Sequence, residues 1–165
     1  MAKKKWTIIG LIVVVLIGGF VGFSLRKSDD GADKLVVAIV RDPDTIDTQK
    51  TTWVDGANDV LYETLVKQSP NGDLIPGLAT DWDLSEDGRT WTFQLRQGVK
   101  FHNGEPLNAA AVKATFERML DPATASPVTY MLGGDFLTSI DVVDEYTVQL
   151  NYADPFPSLV NSGIT

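Results

Sequence analysis

An α/β fold is predicted by three features of the 165-residue sequence: a turn running into an alternating strand at 87–95, a capped amphipathic helix after Asn108, and a valine-rich apolar run at Leu35–Val40. Asp87-Gly88 is a tight-turn signal, because glycine reaches positive φ cheaply and aspartate bonds its neighbouring backbone. After it, Trp91, Phe93 and Leu95 alternate with Thr90, Thr92 and Gln94, the period of a half-buried strand in a hairpin. Val99 and Phe101 alternate again around Lys100, and Asn103-Gly104 is a second reversing turn. Asn108 is placed to cap a helix whose Val112, Phe116 and Met119 share one face, and Asp121-Pro122 stops it. The result is a ββ-turn-α unit.

Upstream, Leu35–Val40 has the uninterrupted apolar character of a strand buried on both faces of a largely parallel sheet. Ala57, Val60, Leu61, Thr64 and Leu65 mark the inner face of a helix starting near Asp55, its expected cap. Ser69-Pro70-Asn71-Gly72 is a turn leading through Leu74-Ile75-Pro76 into the central stretch. Ile140–Val143, a turn at Asp144-Glu145 and Tyr146–Leu150 form a further hairpin, and the segment after Ala153 enters a helix.

The chain contains no cysteine, which excludes disulfides, thiolate nucleophiles, sulfur-ligated metals and a lipid-bearing cysteine. Trp6–Leu25 is a run of 20 uncharged residues preceded by Lys3, Lys4 and Lys5. At about 1.5 Å per residue it matches a hydrocarbon core of roughly 30 Å. A cleaved secretory signal is the competing reading, but its apolar core is shorter, about 7–15 residues, and Gly22-Phe23-Ser24 is a poor cleavage site. An uncleaved signal anchor is therefore expected over residues 1–27, its N-terminus cytoplasmic by the bias of basic residues. Residues 28–34 read as a polar linker, and residues 35–165 as an extracytoplasmic domain. Residues 28–165 hold all 22 acids against nine of the 14 bases, a net charge of −13, which argues against nucleic acid as a partner.

Three strings, PGLATDW from Pro76, DGRTWTFQLRQGVKFHNGEPL from Asp87, and the helix NAAAVKATFERMLDP from Asn108, resemble solute-binding protein family 5. These are the extracytoplasmic peptide/nickel-binding components of ABC importers. The resemblance runs from Leu35 to the last residue. It implies a periplasmic-binding-protein-like (type II) partial fold, with mixed sheets and packed helices, preceded here by one transmembrane helix. It further implies that residues 35–165 are the N-terminal part of a longer, two-lobed solute-binding domain: the start of the first lobe, and a smaller domain from roughly Lys50 to Ala153. The implied function is capture of a peptide or similar small solute and delivery to ABC permease subunits and their ATPases, without cofactor and without catalysis. A membrane-anchored ligand sensor or interaction domain using the same fold is the alternative.

In peptide-binding members of the family, the segment after the first loop lines the cleft and pairs its backbone with an extended ligand. The matching positions here are Thr51, Thr52, Trp53 and Val54, with Tyr130 in SPVTYML as a further cleft residue. Backbone pairing tolerates many side chains, because every peptide offers the same amides. Trp53 either stacks on a ligand or packs between domains. The chain departs from the family's usual Leu-Asp-Pro with Ile46-Asp47-Thr48.

Other constellations read as structural. His102, the single histidine, precedes the Asn103-Gly104 turn and is expected to hydrogen-bond there, since no nucleophile motif such as GxSxG accompanies it. Asp83, Ser85, Asp87 and Gly88 match the spacing of a calcium loop, but Gln94 stands where the bidentate glutamate belongs, so a turn is expected. Asp42, Asp44 and Asp47 are expected to shape the loop after the first strand, and no metal site is assigned to them.

Overall fold

The computed structural model describes residues 45–52 and 58–162. The expected anchor, linker, Leu35–Val40 strand, Asp55 cap, Ala57, Trp53 and Val54 lie outside the described residues.

Trp91, Phe93 and Leu95 are buried on one face of β4 (Thr90–Leu95), as their alternation requires. The Asp87-Gly88 turn joins β4 to β3 (Ala79–Leu84), with Gly88 at φ 71°. Ser85 and Asp87 hold this turn: the Ser85 hydroxyl donates to Asp87 Oδ1 at 2.6 Å, and the Arg89 and Thr90 amides donate to the same two side chains. The oxygens that resembled a calcium loop are thus used in closing a hairpin.

β5 (Leu137–Asp144) and β6 (Thr147–Tyr152) form the second expected hairpin, closed by Asp144, which accepts from the Tyr146 amide and the Thr147 hydroxyl at 2.8 Å each. The four strands make one antiparallel sheet in the order β3-β4-β6-β5. Its register sets Phe93 opposite Val148 and Trp91 opposite Leu150, so the apolar sets of β4 and β6 share a face. The opposite face carries a polar ladder, in which Thr90 meets Asn151, Thr92 meets Gln149, and Gln94 meets Thr147 at 2.9–3.0 Å. One face is apolar and packed and the other is polar, a usual arrangement for antiparallel sheets.

The buried face is covered by α2 (Ala109–Leu120), which packs against β5 and β6. Asn108 caps it, accepting from the Ala111 amide at 2.9 Å, and its inner positions Ala109, Val112 and Phe116 join the core. Asp121 ends it in an extended conformation before Pro122. Two short 3₁₀ turns, Thr129–Leu132 and Gly134–Phe136, return the chain to β5, and α3 (Leu159–Ser162) closes the described part. The Trp91 indole N–H donates to the Phe156 carbonyl at 2.8 Å, which satisfies a buried donor.

Two expectations are corrected. Of the helix expected from Asp55 through Leu65, the described residues show α1 (Asn58–Leu61), which ends before Thr64 and Leu65; its Val60 and Leu61 are exposed, and Asn58 is buried. The chain leaves the helix because Val66–Gln68 (β1) pairs antiparallel with Leu74–Pro76 (β2), and Leu65 is buried at the entry to that hairpin. The second correction concerns Val99 and Phe101, which are not in a strand. Lys100 makes one isolated bridge with Pro106, and Phe101 is exposed. The Asn103-Gly104 turn itself is present, with Gly104 at φ 88°. Its side-chain bonds come from Asn103, which accepts from the Glu105 amide and donates to its carboxylate at 3.0 Å, so the role expected of His102 is filled by its neighbour.

Candidate functional site

The loop preceding Thr51 is fixed to α2 by side chains. Thr45 accepts from the Asp47 amide at 3.1 Å, Asp47 Oδ1 accepts from the Gln49 amide at 3.2 Å, and the Asp47 carbonyl accepts from the Lys50 amide at 2.9 Å. These are the local bonds by which Asp and Thr shape turns. The loop then reaches the last turns of α2. Arg118 grips Asp47 with both prongs of its guanidinium, Nη2 at 2.5 Å from Oδ2 and Nη1 at 3.2 Å from Oδ1. The same Nη1 donates to Gln49 Oε1, while Gln49 Nε2 donates to the Thr115 carbonyl at 2.8 Å.

Gln49 is only 6% exposed, so both ends of its amide must be satisfied, and α2 satisfies both. Tyr62, just after α1, adds a fourth tie by donating its hydroxyl to the Ile46 carbonyl at 2.6 Å. The hydrogen bonds from Arg118 hold the Asp47 carboxyl below its ordinary 3.8, aided by the Gln49 amide and opposed by partial burial. Because the folded value is depressed, the ion pair's contribution is complete above pH 3.8 and is lost as pH falls through the lower folded value. We therefore expect the Gln49 amide resonance to titrate with a midpoint below 3.8, and not to titrate in Asp47→Asn. A midpoint at or above 3.8 would show the pair to be open in solution.

Thr51 lies two residues beyond Gln49 and is 3% exposed, whereas Thr52 is exposed. Trp53 and Val54 follow directly. Tyr130 stands apart on the first 3₁₀ turn, 62% exposed, while Leu132 of the same turn is buried. The described candidates, Thr51, Thr52 and Tyr130, are therefore on two separate elements. The Asp47–Arg118–Gln49 cluster was not anticipated. Arg118 is 71 positions from Asp47 and 69 from Gln49, and a basic residue in a helix's last turn reads locally as a partner for the helix dipole.

The family described as bacterial extracellular solute-binding proteins, family 5 Middle, matches residues 73–164. The chain belongs to this family. The matched span begins just before β2 and ends past α3, so it contains the four-stranded sheet and α2. Among curated relatives, the nickel-binding periplasmic protein of Escherichia coli K12 is 52% identical over 65 residues, covering 39% of this chain and 12% of that protein. The periplasmic oligopeptide-binding protein OppA of Haemophilus influenzae is 30% identical over 149 residues, covering 80% of this chain and 28% of that protein. The crystal structure of Haemophilus influenzae OppA in complex with RPPGFSPFR superposes with a TM-score of 0.65 at 31% identity, covering 72% of this chain and 26% of that one. The mixed α/β architecture of this solute-binding protein is accordingly that of periplasmic binding proteins. The chain spans 28% or less of the length of these two curated relatives.

Proposed function

We propose that this chain is the N-terminal part of an extracytoplasmic receptor that captures a peptide or similar small solute and presents it to an ABC permease. The observation that carries this reading is the family match across residues 73–164, together with a solved relative that holds a peptide. Residues 1–27 tether the receptor as an uncleaved transmembrane anchor with a cytoplasmic N-terminus. Residues 28–34 are the linker, and residues 35–165 are the start of a type II binding-protein fold whose sheet and α2 belong to its smaller domain.

Thr51, Thr52, Trp53 and Val54 form the edge of the solute cleft. Their backbone pairs with an extended solute as an added strand would, which gives affinity without demanding particular side chains. Trp53 covers the solute with its ring, and Tyr130 lines a second part of the cleft. Closure of the complete protein around the solute forms the complex that the permease reads, and ATPases on the cytoplasmic side supply the energy. Catalysis has no part in this cycle.

A stacked ring is worth about 0.5–1.5 kcal/mol beyond its area, so Trp53→Ala should weaken peptide binding roughly two- to tenfold. Titration of the full gene product with trialanine and pentaalanine, followed by calorimetry, measures this. Unchanged affinity in Trp53→Ala would remove residue 53 from the cleft.

A further inference from the structure

We propose that Tyr152 is the positioning residue for Tyr130: its ring packs into the space that Gly133 leaves by lacking a side chain, and so fixes the 3₁₀ turn that presents Tyr130 to solute. This rests on the proposed cleft role of Tyr130.

The two tyrosines are placed oppositely. Tyr130 is 62% exposed and Tyr152 is 4% exposed, and Gly133 joins them. The Gly133 amide donates to the Thr129 and Tyr130 carbonyls, at 3.0 Å to the latter, which closes the turn. Its carbonyl accepts from the Phe136 amide at 3.0 Å. A Cβ at residue 133 would stand 2.9 Å from Tyr152 Cε1, 3.4 Å from its Cδ1 and 3.6 Å from Phe156 Cε1. Gly133 also has φ 87°, a backbone conformation that glycine adopts without strain. Glycine is therefore needed here twice, once for the backbone and once for the ring. Leu132, its neighbour in the turn, is 1% exposed and belongs to the same core as Tyr152. The turn is drawn into the core at Leu132 and stopped by the ring at Gly133, which fixes how far Tyr130 stands from the core.

Tyr152 can act as that stop because it is itself held. It is the last residue of β6, opposite Leu137 in the register, and its amide donates to the Arg89 carbonyl at 2.9 Å. Its ring meets that of Phe156 at a centroid distance of 5.0 Å and an angle of 31°. Its hydroxyl is buried without a hydrogen-bond partner among the described residues, so the contact with the turn is made by ring carbons. An unpaired buried hydroxyl is unfavourable, so phenylalanine at this position keeps the contact and loses nothing. A displaced turn can cost at most what Tyr130 contributes. For one stacked aromatic side chain that is roughly two- to tenfold in affinity.

The test compares the full gene product with Gly133→Ala, Tyr152→Leu, Tyr152→Phe, Tyr130→Ala and the double variant Gly133→Ala/Tyr130→Ala. Amide hydrogen exchange is read at Met131 and at residue 133, whose amides bond within the turn, and in β4 as the measure of global opening. Trialanine affinity is read by calorimetry. The expected result in Gly133→Ala and Tyr152→Leu is exchange in the turn accelerated about tenfold or more relative to β4. Trialanine binding weakens roughly two- to tenfold in both. Tyr152→Phe matches wild type in both measurements. Gly133→Ala adds no further loss of affinity in the Tyr130→Ala background, because the two substitutions then act on one contact. Losses that multiply in the double variant overturn the proposal. So does exchange in the turn that rises only in step with β4, because the role would then be general stability. If Gly133→Ala does not fold, Tyr152→Leu decides by the same comparison with β4. Tyr130→Ala binding trialanine as wild type does would remove Tyr130 from the cleft and overturn the effect on solute, while exchange still decides whether Tyr152 holds the turn.

Discussion

Phe93→Ala should cost about 3–5 kcal/mol of unfolding free energy, the range for removing a fully buried aromatic ring from a core that cannot collapse around the gap. Phe93 is 0% exposed, lies opposite Val148 in the register, and stacks with Trp91 at a centroid distance of 6.1 Å. The site is central to the sheet, with β3 on one side of β4 and β6 on the other, so backbone movement into the void is resisted. Phe93→Leu, which retains most of the volume, should cost less than half as much. Denaturant midpoints of the full protein measure both. A loss below about 1 kcal/mol for the alanine variant would mean that the ring does not fill this layer as described.

Gly77→Ala is the second large effect, and its cause is backbone contact. A Cβ at residue 77 would stand 2.4 Å from the Thr64 carbonyl oxygen and 2.9 Å from that of Leu65. Those carbonyls accept the amides of Gly77, Leu78 and Ala79 at 2.8–3.2 Å, so the methyl group would push apart the bonds that join the start of β1 to the start of β3. Overpacking of this kind costs typically about 1–3 kcal/mol, and the upper end is expected because neither obstacle is a side chain free to rotate. Gly98→Ala provides the contrast. Gly98 has φ 76° but nothing within 4 Å of the added carbon, so it should show only left-handed strain of about 1–2 kcal/mol. Equal or smaller loss in Gly77→Ala, measured by the same midpoints, would show that residues 64–65 are not packed against this turn.

Legibility followed the range of the interactions. β4 was readable because its alternation is strict, and α2 because Asn108 and Asp121-Pro122 mark both ends within one window. The β5–β6 hairpin was readable for the same reason, although it runs on to Tyr152. The end of α1 was misread because Thr64 and Leu65 continue its helical spacing although the chain has left the helix after Leu61, and Val66–Gln68 is too short to show a strand period before its partner is known. Phe101 alternated correctly but is exposed beside a single bridge, since its segment pairs with none of the four sheet strands. At the candidate site, the string resemblance pointed to Thr51–Val54. The clamp that precedes it was hidden, because nothing local joins Asp47 to an arginine 71 residues later.

The division of labour is also physical. The sheet and α2 present an apolar face to each other and a polar ladder outward, and none of the described solute candidates, Thr51, Thr52 and Tyr130, lies on either. This scaffold carries the family match, while Thr51 and Thr52 lie on a loop and Tyr130 on a 3₁₀ turn. Loops held by a rigid scaffold are where binding residues concentrate.

The most direct measurement of solute capture is a thermal-shift titration of the full gene product with peptide pools of two to five residues, followed by calorimetry on any pool that shifts the melting temperature. A solute bound by the folded protein alone stabilises it by about 2.7 kcal/mol at a hundredfold excess over Kd. The expected result is a saturable rise in melting temperature with one-to-one binding, tolerant of side-chain identity and weakened by Trp53→Ala. No shift with any pool at millimolar peptide would contradict peptide capture.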